Sequence, residues 1–261
     1  MYTKTYYITS SDMDVNYRLT PHAALLYFQD CFASYLAHYN IAAFDILKDG
    51  KFWVISDFDL HFTGKRAMWL DKVEVSISFS ELTSCRAYIL FKLINANTGE
   101  EFANGESCWV TLDFKTRRPC NIQEILSKAN AQDLGVKHRG KVNPHIENPV
   151  FIQDEIHKVN ASDLDFNGHV CNRSYLIMAM ATLSIDFIQK NSPEHLHIKF
   201  LKESFITDTL HINQYKDALD GLEFFHDIRN DEDKVICTIY SQWKEDSDEL
   251  SKDVATLVHR N

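Results

Sequence analysis

The hexapeptide Ser-Asp-Met-Asp-Val-Asn at residues 11–16 returns as Ser-Asp-Leu-Asp-Phe-Asn at residues 162–167, an offset of 151 in a chain of 261 residues. A repeat at one fixed offset restricts the chain to two units of the same design. After the first copy the apolar spacing predicts a helix over about residues 21–39, with Thr20 as N-cap and Pro21 at the first helical position. After the second it predicts one long helix from about Asn172 to Lys190, with Asn172 as candidate cap. That second segment is apolar on nearly all sides, which below membrane-spanning length means burial. Strands follow each helix. Val73, Val75, Ile77 and Phe79 alternate, as do Cys85, Ala87, Ile89, Phe91 and Leu93, and residues 101–114 continue the pattern. In the second half the runs beginning at His195, Thr209, Gly221, Lys234 and Val254 do the same, with turn signals at 97–101 and 229–234. Each half therefore reads as one strand, one long helix and several antiparallel strands, an α+β unit whose sheet curls around a central helix. The expected division is an N-terminal unit over 1–115, a polar linker with a short helix over 116–148, and a C-terminal unit over 149–261.

Composition narrows the function classes. The chain is 45% hydrophobic, enough for a substantial core, yet has no run of eighteen apolar residues. Its first residues show neither a basic leader with an apolar stretch nor an Arg/Ser-rich transit character, so the expected location is cytoplasmic, with no membrane partner. The six cysteines form no CxxC pair and are expected as reduced, mostly buried thiols. A formal charge of −10 argues against nucleic acid as a partner. Basic residues are nonetheless clustered at Lys115, Arg117 and Arg118, at Lys137, His138, Arg139 and Lys141, and at Lys65 and Arg66. They are either solvated surface or a local dock for an acidic partner.

The second repeat copy continues as Asp163-Leu-Asp165-Phe-Asn167-Gly168-His169, which matches the start of a calcium loop. Position 12 of such a loop must be a bidentate glutamate, and here it is Ser174, so no metal is expected. Asp, Asn and Gly before a helix are commonly turn and cap chemistry. The repeat supplies a control. In the first copy Tyr17 and Arg18 stand where the second has Gly168 and His169. Shared Asp and Asn can serve architecture in both copies, whereas the histidine is unique to the second, which predicts one active site per chain, in the C-terminal half. Cys171, two residues from His169, reads as packing more readily than as a nucleophile, although a nearby helix start could lower its pKa.

Three ordered motifs resemble the acyl–acyl carrier protein thioesterases of plant plastids and bacteria, which have a tandem (double) hotdog fold. The family's Asp-x-Asn-x-His-Val-Asn-Asn loop stands here as residues 165–172, its Gly-Glu…Thr-Arg-Arg strand as residues 99–118, and its Tyr-Arg-Arg-Glu-Cys segment is matched by Ile-Lys-Phe-Leu-Lys-Glu-Ser, residues 198–204. The resemblance covers almost the whole chain. It implies catalytic positions at Asp165, Asn167, His169 and Glu203. A cysteine proposed in the family as nucleophile is here Ser204, which disfavours a cysteine mechanism and leaves Ser204, with Gly168, as secondary candidates. It implies hydrolysis of fatty acyl–acyl carrier protein to free fatty acid with no cofactor, an acyl tunnel largely in the N-terminal half, and the acidic carrier protein as partner, docking on Lys115, Arg117, Arg118, Lys137, Arg139 and Lys141. The enzyme would be a monomer or a homodimer.

Thioester hydrolysis needs an activated water, a stabilised oxyanion and a proton for the leaving thiol. Asp165 and Glu203 are candidate bases, acting as carboxylates that activate water if burial or a like-charged neighbour raises their pKa. Asn167 can orient the water, His169 can shuttle a proton, and amides at the start of the second helix can face the oxyanion. Two readings compete: hydrolysis of coenzyme A thioesters, and a non-catalytic acyl-binding module. A dehydratase is a weaker match to the tandem organisation.

Overall fold

The computed structural model describes residues 1–65, 67–129, 144–219 and 221–246 of the chain. Ten antiparallel strands form one sheet. The first half contributes β1 (Tyr2–Tyr7), β2 (Lys51–Phe62), β3 (Lys72–Leu82), β4 (Arg86–Asn95) and β5 (Glu101–Asp113), and the second β6 (Pro149–Lys158), β7 (Asn191–Phe200), β8 (Thr209–Asp217), β9 (Glu223–Asn230) and β10 (Val235–Glu245). The order β1-β3-β4-β5-β2-β7-β10-β9-β8-β6 is palindromic about the β2–β7 pair. Each half thus repeats the same strand order, and the expected tandem hotdog is what the structure shows. The seam is set by register, with Asp57 opposite Lys199, Phe58 opposite Ile198, Asp59 opposite His197, Leu60 opposite Leu196 and His61 opposite His195.

Helix α1 (Pro21–His38) starts as the sequence predicts, the Thr20 side chain accepting from the Ala23 amide with Pro21 in the first turn. Its inner face buries Leu25, Phe28, Cys31, Phe32 and Leu36 against Phe58, Phe79, Phe91 and Trp109 of the sheet. Aromatic pairs fill this space, with Phe28 on Phe91 at 5.0 Å and Phe32 on Trp109 at 4.6 Å between ring centroids. The short helix α2 (Ala43–Leu47) precedes β2. Within the expected linker, α3 (Ile122–Leu126) packs Ile122, Ile125 and Leu126 into the same core, and the Tyr35 hydroxyl donates to the Ala129 carbonyl. The start of that segment is therefore part of the N-terminal half. The run beginning at Val254 lies outside the described residues.

The second helix departs from expectation. It is two helices, α4 (Asn172–Ala181) and α5 (Ile185–Lys190), with Cys171 at the N-cap position in place of Asn172. The break has an identifiable cause. The Thr182 hydroxyl turns back to the Ala179 carbonyl and accepts from His226 Nε2 at 2.9 Å, while Gln153 donates to the Thr182 carbonyl. Ser184 then caps α5 by accepting from the Phe187 amide. A sheet histidine thus holds the helix interruption closed. The cysteines are all free, but only Cys31, Cys108 and Cys237 are buried, the other three being half-exposed.

Burial lowers the His226 imidazole from its ordinary value to about 4, Asp227 offsetting part of this. Unfolded His226 takes up a proton near pH 6.5, and the folded form does so only near 4. Its stabilising contribution is therefore complete above about pH 6.5 and is lost as pH falls towards 4. Urea unfolding of wild type and His226→Gln between pH 7.5 and pH 4 checks this. The stability difference between them should move against the wild type by on the order of 3 kcal/mol across that range.

Candidate active site

Both repeat copies fold into the same closed loop. In the second, Leu164 bridges Val170, the Asp165 amide donates to the His169 carbonyl at 2.8 Å, and the Gly168 amide donates to the Asp165 carbonyl. In the first, Met13 bridges Leu19, the Asp14 amide donates to the Arg18 carbonyl at 2.8 Å, and the Tyr17 amide donates to the Asp14 carbonyl. The aspartate side chain does the same work in each. Asp165 Oδ1 accepts from the amides of Asn167 and His169, as Asp14 Oδ1 accepts from those of Asn16 and Arg18. The corner residue takes positive φ in both, +78° at Gly168 and +57° at Tyr17, which glycine adopts without a Cβ penalty.

The copies differ in what the loop holds. Arg18 is buried and reaches into the other half of the chain, donating to the carbonyls of Ile188 and Asn191, forming an ion pair with Asp246 at 2.9 Å and another with Asp14 at 3.0 Å. Asn16 bonds the Ile188 and Gln189 carbonyls. The first loop is a clamp between the halves. Matched backbone bonds, Asp246 N to Lys190 O and Phe114 N to Gly50 O, identify the segments that face the two loops across the seam. Where Arg18 fills the first position, the second presents His169, a quarter exposed at its side chain.

His169 Nδ1 lies 3.4 Å from Glu203 Oε1, and Glu203 meets the guanidinium of Arg117 at 3.3 Å on Oε1 and 3.1 Å on Oε2. Three segments create this row. Glu203 follows the end of β7 and is outside any strand, and the Val170 amide docks the loop there by donating to the Ser204 carbonyl. His169 bridges Phe205, its ring edge-on at 5.0 Å. Arg117 comes from the N-terminal half, on a turn after β5 closed by Asp113, whose Oδ1 accepts from Lys115 and Thr116. Its guanidinium lies 4.8 Å from the Phe52 ring centroid and 5.8 Å from that of Phe114. The site is therefore shared between the halves.

Of the residues singled out in the sequence, His169 and Glu203 meet directly. Asp165 and Asn167 are joined to each other, Asn167 Nδ2 to Asp165 Oδ2 at 3.3 Å, with Asn167 exposed. The oxygens of Asp165 are engaged within its own loop. Gly168 forms the corner. Ser204 is buried at 1% exposure with the Tyr175 hydroxyl beside it. Burial pushes the Cys171 thiol up, against the lowering a helix start could bring. Lys115 and Arg118 are exposed near the site, whereas Arg117 is held by Glu203, and Lys137, Arg139 and Lys141 lie outside the described residues. The Arg117–Glu203 pairing was not legible in the sequence; its only signal was the matched strand ending in Thr-Arg-Arg.

A sequence profile of the acyl-ACP thioesterase N-terminal domain matches residues 1–129, and one of the acyl-ACP thioesterase C-terminal domain matches residues 150–245. This chain belongs to the acyl-ACP thioesterase family. It is 22% identical over 174 residues to a chloroplastic acyl-[acyl-carrier-protein] hydrolase of Cuphea viscosissima, covering 60% of this chain and 38% of that protein. To a chloroplastic palmitoyl-acyl carrier protein thioesterase of Arabidopsis thaliana it is 24% identical over 179 residues, covering 61% and 40%. The matches thus span about two fifths of the length of these curated relatives. In fold it is similar to the crystal structure of an acyl-ACP thioesterase from Bacteroides thetaiotaomicron, with TM-score 0.78, 18% identity, and coverage of 93% of this chain and 97% of that one.

The two loops of this acyl-ACP thioesterase family member should respond differently to truncation. Arg18→Ala removes a buried guanidinium from Asp14 and Asp246 and should lower unfolding free energy by about 3 kcal/mol. His169→Ala, at a part-exposed pair, should change it by less than about 1 kcal/mol. Denaturant unfolding of both variants measures this directly.

Proposed function

We propose that the protein hydrolyses fatty acyl–acyl carrier protein thioesters to free fatty acid and carrier thiol, and that the site is the His169–Glu203–Arg117 row. The observation that carries this is that, of the two matched loops, the second presents a part-exposed imidazole with a carboxylate on its Nδ1 side. Arg117 engages both oxygens of Glu203, so the carboxylate orients the ring and His169 Nε2 is the atom that takes a proton from water. The hydroxide adds to the thioester carbonyl. The Asn167 carboxamide, steadied by Asp165, donates its second N–H to the oxyanion. Collapse of the tetrahedral intermediate breaks the C–S bond, and the His169 imidazolium returns its proton to the leaving thiol, whose pKa near 8.5 makes this step undemanding. This gives Asp165 a positioning role and makes the expected carboxylate activation of water indirect.

An apolar rim surrounds the loop. The Phe166 and Phe44 ring centroids lie 5.3 Å apart with their planes tilted, while Phe114 beside Arg117 and Phe205 edge-on to His169 are exposed. Such a rim suits an acyl chain passing inward, towards the aromatic core around α1 in the N-terminal half. Lys115 and Arg118 are the described basic groups placed to meet an acidic carrier. Among the described residues no helix is long and apolar enough to cross a membrane.

Free-thiol release from acyl carrier protein and coenzyme A thioesters of graded chain length tests the proposal. His169→Ala should lower kcat/KM by about 10²–10⁴-fold. Ser204→Ala and Cys171→Ala should retain turnover. Asp165→Asn keeps the Oδ1 acceptor and should lie within about tenfold of wild type, whereas Asp165→Ala should not. Equal loss in both Asp165 variants would make Asp165 the base. Faster turnover of coenzyme A thioesters would move the substrate assignment, and retained ligand with no thiol released would make this a binding module.

A further inference from the structure

A second cluster lies on the face of the sheet away from α1. Strand alternation separates the two faces at the seam. Phe58 and Leu60 of β2 and Leu196 and Ile198 of β7 are fully buried in the core, so Asp57, Asp59, His61, His195, His197 and Lys199 project to the opposite side. Register sets His61 directly opposite His195, and their rings stack with centroids 4.3 Å apart and planes 7° from parallel. Stacking turns both Nε2 atoms towards one carboxylate: His61 Nε2 is 3.1 Å from Asp59 Oδ2, and His195 Nε2 contacts Asp59 Oδ1.

We propose that Asp59, His61 and His195 form a divalent transition-metal site of the zinc class, tying the two halves of the chain together at their seam. One ligand atom from each of the three residues lies within 4.8 Å of the others. Ligands about 2.0–2.1 Å from a tetrahedral zinc ion sit roughly 3.3 Å from one another, a spacing within reach of the three side chains once the two stacked rings tilt apart to bring both Nε2 lone pairs onto a common ion. Two imidazoles and one carboxylate suit zinc, cobalt, nickel or copper rather than calcium or magnesium, which take all-oxygen shells. The fourth position falls to water. The supports are rigid, since both ligand-bearing strands are central in the sheet and Asp59 is 7% exposed. The Tyr240 ring packs on His195 at 5.6 Å, and Glu106, opposite Asp59 on β5, adds a second buried carboxylate beside the site. None of these residues belongs to the His169 site, so the inference stands independently of the proposed reaction.

The test uses the purified full chain after chelator treatment. Zn2+ titrated calorimetrically should bind with a stoichiometry of one per chain and raise Tm, and Co2+ should give visible bands of tetrahedral intensity without a thiolate charge-transfer band. His61→Gln and His195→Gln should each abolish that stoichiometric binding while circular dichroism and cooperative unfolding are retained. His211→Gln, at an exposed histidine facing Asp231, should leave it intact. Failure of the wild type to bind Zn2+ or Co2+, or binding that persists in both seam variants, would overturn the site and leave only Asp59 hydrogen-bonded to two histidines.

Discussion

The pairing of β2 with β7 is the constraint on which the rest depends. Each half, alone, is a five-stranded sheet with an edge at this position, and the antiparallel ladder from Asp57–Lys199 to His61–His195 joins them. Because the ladder is palindromic in its surroundings, it sets every element of one half opposite its counterpart in the other. The loop before α1 is thereby brought to the start of β7, and the loop before α4 to the start of β2. A site shared between the halves follows from the sheet order, with Arg117 carried across the seam by the turn after β5.

Duplication then allowed one geometry to serve two purposes. The loops close with the same backbone hydrogen bonds and the same aspartate cap. Of the positions that differ, the one held by Arg18 and His169 sets the contrast between them. An arginine at the fourth position after the aspartate satisfies four partners and locks the halves together, while a histidine there presents a part-exposed imidazole beside Glu203. On the proposed mechanism, stability and chemistry are divided between two copies of one motif, consistent with function being seated in sites grafted on a fold rather than in the fold itself.

The repeat, the first helix with its Thr20 cap, and most strands were legible because local periodicity and capping agree with the tertiary structure there. The second helix was misread as continuous because apolar spacing runs through it unbroken. Its interruption depends on His226 and Gln153, which come from distant strands, although Ser184 three residues before Phe187 was a local cap signal. Glu203 reads as a strand residue by alternation but falls after β7. Asp165 reads in the sequence as either a base or a turn residue, and Asp14 makes the same backbone bonds with no histidine attached. The His-x-His spacing at 195–197 and Asp-x-His at 59–61 were visible as alternating polar positions, but only register could bring them together.

The central claim is that one of the two loops offers a reactive histidine and the other a structural arginine. It is tested most directly by calorimetric titration of the full chain with a non-hydrolysable acyl-pantetheine analogue. One molecule should bind per chain, with binding lost in His169→Arg and preserved in Tyr17→Gly. Two equivalents per chain, or a His169→Arg variant that binds as wild type does, would contradict the account.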